Sequence, residues 1–270
     1  MVIDWDDIES LALDRSNAIA RGTAGTEVYW GNKIQSARLS HLERLSIKDA
    51  DWLTVCSESD AQSMNMQHRT SKFTSIPNTV HFDNHFRNRS QSVQEQVNIL
   101  FVGSMYYPPN VHGAIWFCKS VLPKILQTLT LTIKVWIVGY KPESQIVALA
   151  DSNLIEVTGS VDSVAPYYKS ATLAISPIHF GGGTRIKILE AAAYAVPTVT
   201  TTLGLEGIEF NHDREVLVAN EPEAFAEQCI SLANNKGLRE KLAAAAFETG
   251  KRLYGHDVVK RSLQALIDPI

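Results

Sequence analysis

An α/β fold built on a doubly wound parallel sheet follows from three observations on the sequence. From residue 97 onward, short apolar runs alternate strictly with segments patterned as helices. The apolar runs are continuous instead of alternating apolar with polar, which marks strands buried on both faces. Hydrophobic residues make up 45% of the 270 and charged residues 20%, enough for a sizeable core and too apolar for a disordered chain.

In chain order, the first third is the less regular. "VIDWDD" reads as the end of a strand, and "DIESLALDRSNAIAR" and "IQSARLSHLERLSIKDA" as helices. Asp4, Asp6, Asp7 and Glu9 gather where the first helix starts, near Ile8, and their negative charge suits the positive end of its dipole. A metal site is the competing reading of the same cluster. "DWLTVCSESDAQSM" reads as strand, turn and helix, with Ser57 or Ser59 as N-cap. "KFTSIPNTV" is a further strand, ending at Pro77-Asn78, and the polar, aperiodic stretch 81–96 is a connector. Strands near 52–56 and 72–76 are too few for a complete doubly wound domain, which needs about 100–150 residues. Residues 1–90 therefore read as the last portion of an N-terminal domain, and 91–270 as a C-terminal domain.

The remainder is orderly. Strands are expected at 97–103, 131–139, 153–159, 172–177, 197–201 and 215–219. The helical segments between them are 110–129, "ESQIVALA", "SVAPYYKSA" and the alanine-rich stretch that follows "GGGTRIK". Helices at 221–234, 237–250 and 256–267 close the chain.

The net charge of −4 (25 basic against 29 acidic residues) offers no basic field for nucleic acid. Cys56, Cys118 and Cys229 have neither disulfide nor zinc spacing, as in a reducing compartment. No apolar run approaches the roughly 20 residues of a membrane span, and nothing at the start has the pattern of a signal peptide.

In a doubly wound sheet, ligands collect at the carboxyl ends of the strands. The loops there are "GSMYYPPN", "GYKPE", "GSVD", "PIHFGGGTRIK" and "TLGLEG". In the fourth, glycines let backbone N–H groups approach a ligand, and a helix expected to begin near Thr184 points its positive end at the same place. Arg185 and Lys187 add full positive charge, the assembly that suits a diphosphate. Glu190 lies farther along the helix and can accept bonds from a vicinal diol such as a ribose. A plain flexible turn and a solvated helix face are the competing reading. Neither GxGxxG nor GxxxxGK[ST] is present, which argues against a dinucleotide fold and a P-loop. His112 and His179 are either catalytic or structural.

The run from "NILFVGSMYYPPN" through "VWIVGYKP", "IEVTGSVDS" and "HFGGGTRIKILEAAAYAVPTVTTTLGLEGI" resembles the C-terminal domain of family 4 glycosyltransferases of the GT-B fold, over about residues 97–265. "DWDDIESLALDR", "TVCSESDA" and "SIPNTVHFDNHF" resemble the last portion of that family's acceptor-binding domain. The resemblance implies an enzyme that transfers a sugar, with retention, from a nucleotide diphosphate sugar to a glycan, a lipid-linked or a small-molecule acceptor, as in cell-envelope polysaccharide synthesis. It implies no cofactor and no obligatory metal. It places the chain in the cytoplasm, with peripheral contact at the inner face of the membrane, and its last helix against the N-terminal part.

Carried over by position, Arg185 and Lys187 neutralise the diphosphate and are the catalytic pair. Gly103 and Ser104 line the donor cleft, and Gly159, Ser160 and Val161 face the nucleobase. Gly182, Gly183 and Thr184 offer N–H groups to sugar and phosphates, and Glu190 grips the ribose. Two positions depart from the family pattern. Gly182 stands where many members carry the first of two glutamates eight positions apart, and "GSMYYPPN" replaces an Arg and a Lys after the first strand. A donor-binding remnant without transfer activity, a homo-oligomer, and a subunit that pairs with a chain supplying the rest of the N-terminal domain are the alternatives.

Overall fold

The computed structural model describes residues 1–5, 7–20, 26–86 and 96–267, so Asp6 of the acidic cluster lies outside the described residues. Two parallel sheets are present. The smaller has the order β1 (Val2–Trp5), β2 (Trp52–Val55), β3 (Phe73–Ser75). The strand end read in "VIDWDD" is found as β1, beside the two strands expected near 52–56 and 72–76. "VIDW" pairs residue for residue with Trp52–Val55, and Ile3 and Trp5 cover the same core as Leu53, Val55 and Phe73.

Helices α1 (Glu9–Ala20) and α2 (Thr26–Asp49) connect β1 to β2, and the Ser10 hydroxyl donates to Glu43 Oε2 at 2.7 Å between them. Helix α2 begins eight residues before the "IQSAR" segment that was expected to open it. Its first turns carry exposed Trp30 and Ile34 around Gly31, so neither propensity nor an apolar face marks them. Helix α3 (Glu58–His68) follows β2, and of the two expected caps Ser57 is the one used, its Oγ accepting from the Asp60 N–H at 3.1 Å.

The larger sheet contains β4 (Gln96–Val102), β5 (Thr132–Val138), β6 (Ile155–Gly159), β7 (Leu173–Ser176), β8 (Thr198–Thr200) and β9 (Leu217–Val218). The order is β6-β5-β4-β7-β8-β9, all parallel. The chain starts in the middle with β4, builds outward to β6, then returns to lay β7 on the other side of β4. The order thus reverses between β4 and β7, the place where strand-end loops splay apart.

Successive residues of β4 serve opposite faces. Ile99 and Phe101 meet α4 (Pro108–Trp116), α5 (Leu122–Thr128) and α9 (Pro222–Asn234). Leu100 meets α7 (Ala165–Ser170) and α8 (Ile186–Ala193) through Tyr168 and Ala191. A short α6 (Ser144–Val147) links β5 to β6, and α10 (Lys236–Tyr254) and α11 (His256–Ile267) end the described chain. The helix expected over 110–129 is interrupted by a π-helical turn at Phe117–Val121. Pro123, just beyond it, has no N–H to give the preceding turn, and a widened turn absorbs the loss.

Residues 79–82 join the two sheets. The Thr79 hydroxyl and Val80 N–H both donate to the Tyr254 carbonyl, at 2.9 and 3.1 Å. Phe82 stands edge-on to Phe247 at 5.5 Å, so part of the stretch expected to be a plain connector is buried. No helix among the described residues is long and apolar enough to cross a membrane.

Candidate active site

Glycines bring the strand-end loops side by side. The Gly103 N–H donates to the Val138 carbonyl at 3.0 Å, and the Gly139 N–H to the Gly159 carbonyl at 3.2 Å. Gly181 (φ 109°) and Gly183 (φ 67°) turn the chain after β7 through conformations that a side chain disfavours. Helix α8 consequently starts at Ile186 with Arg185 as its N-cap, slightly later than the start expected near Thr184.

Between the β4 and β7 loops lies a cleft of about 370 Å³. Residues Gly182 through Lys187 and Glu190 line one wall, Gly103 and Asn110 the other, and Asp7 and Asn78 enter from the smaller sheet. Of the expected site residues, Arg185, Lys187, Gly103, Gly182, Gly183, Thr184 and Glu190 are thus brought together. Ser104, Gly159, Ser160 and Val161 lie outside this lining. Ser104 turns its carbonyl to the Asn110 amide at 3.1 Å, and the other three lie at the end of β6 and just after it, two strands away from β4.

The cations are held in place and partly desolvated. The Lys187 ammonium donates to Asn110 Oδ1 at 2.5 Å and stands 4.7 Å from the centre of the Phe101 ring. Burial, with Arg185 adding like charge, pushes its pKa down to about 7, against the pull of Glu190. Arg185 is only 8% exposed and its guanidinium donates to the carbonyls of Gly182 and Gly183. Burial lowers its pKa too, but an arginine stays charged. Glu190 Oε2 accepts from the Tyr168 hydroxyl at 2.9 Å, and burial raises the carboxyl above its ordinary value. Tyr168 in turn stacks on Tyr194 with centroids 5.1 Å apart.

Asn110 and Tyr168 were missed in the sequence because their partners are 77 and 22 residues away and no motif links them. His112 and His179 do not line the cleft. Their rings lie 5.3 Å apart behind the β7 loop, His179 meets Trp116 edge-on at 4.5 Å, and burial lowers both pKa values. The acidic residues expected simply to charge the start of α1 are more specialised. Asp4 accepts from the Thr54 hydroxyl, while Asp7 reaches the glycine loop.

Arg15 of α1 holds the same loop from above. Its Nη1 and Nη2 grip Glu206 at 2.5 and 2.8 Å, and Nη1 also donates to the Gly181 carbonyl at 3.2 Å. Glu206 belongs to the "TLGLEG" loop after β8, so three loops and one helix converge on the glycine turn.

The depressed Lys187 has a measurable consequence. An anion in the cleft favours the charged amine and raises its pKa from about 7. Anion binding at pH 7.5 should therefore take up part of a proton, seen as a buffer-dependent heat. Affinity should be flat below pH 7 and fall by up to about tenfold per unit above it. A diphosphate diester is the suitable probe, since it does not titrate in this range. Identical heats in buffers of different ionisation enthalpy would rule the effect out.

A model of the family described as glycosyl transferases group 1 matches residues 96–235. An uncharacterised 44.6 kDa protein in the cps region of Klebsiella pneumoniae is 28% identical over 158 residues, 56% of this chain and 40% of that protein. The Anabaena protein Alr3699/HepE, solved in complex with UDP and glucose, superposes with a TM-score of 0.71 at 13% identity, covering all of this chain and 71% of that one. TarM superposes with a TM-score of 0.67 at 13% identity, over 86% of this chain and 46% of that one. The chain therefore spans less than half the length of the Klebsiella relative and of TarM.

Proposed function

The chain belongs to the group 1 glycosyltransferases, and from that premise we propose that its cleft binds the diphosphate of a nucleotide sugar for retaining glycosyl transfer. The observation that carries this reading is the convergence of the glycine turn, Arg185, Lys187 and Glu190 on one cleft at the reversal of strand order. Arg185 and Lys187 meet the phosphates, and Glu190, steadied by Tyr168, meets the ribose. As the bond to the anomeric carbon breaks, negative charge grows on the departing diphosphate. Fixed cations and backbone N–H groups aimed there stabilise it more than they stabilise the starting donor. No metal is needed in this scheme. The acceptor is a glycan, a lipid-linked sugar or a small molecule; the location of the Klebsiella relative's gene in a cps region favours a glycan.

Isothermal titration with UDP, GDP and ADP tests the reading. One of the three should bind with micromolar to millimolar affinity, and no heat from any of them at millimolar ligand would sink it. Glu190→Gln should weaken the nucleotide that binds by about tenfold, through loss of a charged hydrogen bond, and should barely affect its 2′,3′-dideoxy analogue. Equal losses on both would remove Glu190 from the ribose.

A second reading has its own support. Strand β1 forms an edge of the smaller sheet, and Trp30, Ile34, Leu42 and Leu45 of α2 are exposed. Such an edge and such side chains suit a further stretch of polypeptide, from another chain or another copy. Transfer by this chain alone should then be weak, and addition of the partner should restore it.

A further inference from the structure

Asp7 is a carboxylate in the cleft that the donor-binding roles leave unused. It comes from the connection between β1 and α1, on the opposite side of the cleft from the larger sheet. A side-chain carbon placed on Gly182 would overlap Asp7 Oδ1, so Asp7 occupies the room that any side chain at 182 would need. Asp7 acts electrostatically on Arg185 and on the Tyr107 hydroxyl. It also borders the neighbouring hollow of about 290 Å³ between α1, α2 and the start of α4.

We propose that Asp7 binds hydroxyl groups of the glycosyl part of the donor and so selects which sugar is transferred. The inference rests on the nucleotide-sugar reading and adds the contact that reading lacks. Its basis is the order of charge along the wall. Asp7 and the Arg185 guanidinium stand at Gly182, Lys187 follows, and Glu190 comes last. A nucleotide sugar has the complementary order: glycosyl hydroxyls, two phosphates, ribose hydroxyls. A carboxylate accepts bonds from hydroxyls and repels phosphates. With Glu190 at the ribose end, Asp7 falls at the glycosyl end. The φ of Gly182 is not in the left-handed region, so a side chain at 182 would fit once the Asp7 carboxylate turned aside.

The test compares UDP with UDP-glucose and UDP-galactose, and GDP with GDP-mannose, by titration of the whole chain. Asp7→Ala should weaken the preferred sugar nucleotide by about tenfold or more, the loss of a charged hydrogen bond, and its bare diphosphate by less than twofold. Gly182→Ala keeps the carboxylate but displaces it, and should reproduce the same selective loss. Equal losses for sugar nucleotide and diphosphate, no loss for either, or a wild-type chain that binds diphosphates but none of the three sugar nucleotides would each overturn the proposal while leaving the nucleotide site standing. No binding of any nucleotide would overturn the functional reading, and this proposal with it.

Discussion

Changing Arg185 and Lys187 together to alanine is expected to weaken nucleoside diphosphate binding by about a hundredfold or more. Each charged hydrogen bond to a phosphate contributes roughly 1.5–3 kcal/mol, about tenfold or better apiece. The measurement belongs at pH 6, where Lys187, with its pKa near 7, is mostly protonated in the free chain. Arg185 complicates the single variant, since its guanidinium also holds the Gly182 and Gly183 carbonyls. Its removal therefore loosens the loop as well as deleting a charge. The matching nucleoside, which lacks phosphates, separates the two effects. A lost charge leaves nucleoside affinity almost unchanged, whereas a collapsed loop weakens both ligands alike. Equal losses for nucleoside and diphosphate would make the cations structural.

The second large effect is expected at Gly139, far from these cations in sequence. A side-chain carbon there would overlap the carbonyl oxygen of Gly103, a backbone atom that cannot rotate away. Gly139→Ala should destabilise the chain by about 3 kcal/mol, the upper part of the overpacking range. For a chain of this size that is about 6–12 °C in Tm. Because the displaced atom belongs to the cleft wall, the fraction that remains folded should also bind nucleotide poorly. Gly159→Ala is the instructive contrast. Its new carbon meets nothing within 4 Å, and only the left-handed φ of 68° opposes it. Backbone strain of that kind costs roughly 1–2 kcal/mol. A Gly139→Ala chain as stable and as competent as wild type would show that the β4 and β5 loops can slide apart freely.

The larger sheet was legible because its strands are buried on both faces and its turns carry glycine or proline. The clustering of residues at the start of α8 was legible for a related reason: a glycine turn, two cations and a carboxylate lie within ten residues, from Gly181 to Glu190. Two features were not. The start of α2 has an exposed tryptophan and a glycine where a helix signal would place polar and alanine-like residues. The partners of Lys187 and Glu190 depend on how α4 and α7 lie against α8, which is tertiary information. Asp7 illustrates the same limit. Its sequence context, ahead of a helix, points to electrostatic capping, and only the meeting of the two sheets brings it to Gly182.

The grip of Arg15 on Glu206 and the Gly181 carbonyl bears on how firmly the glycine turn is held. The two side chains are 28% and 36% exposed, so water and salt screen them. Pairs at that exposure hold with about 1 kcal/mol or less, a factor of roughly five in population. Such a clasp is shut most of the time yet opens without disturbing either core. Raising ionic strength should then loosen the clasp and, through the Gly181 carbonyl it holds, the glycine turn beside the cleft.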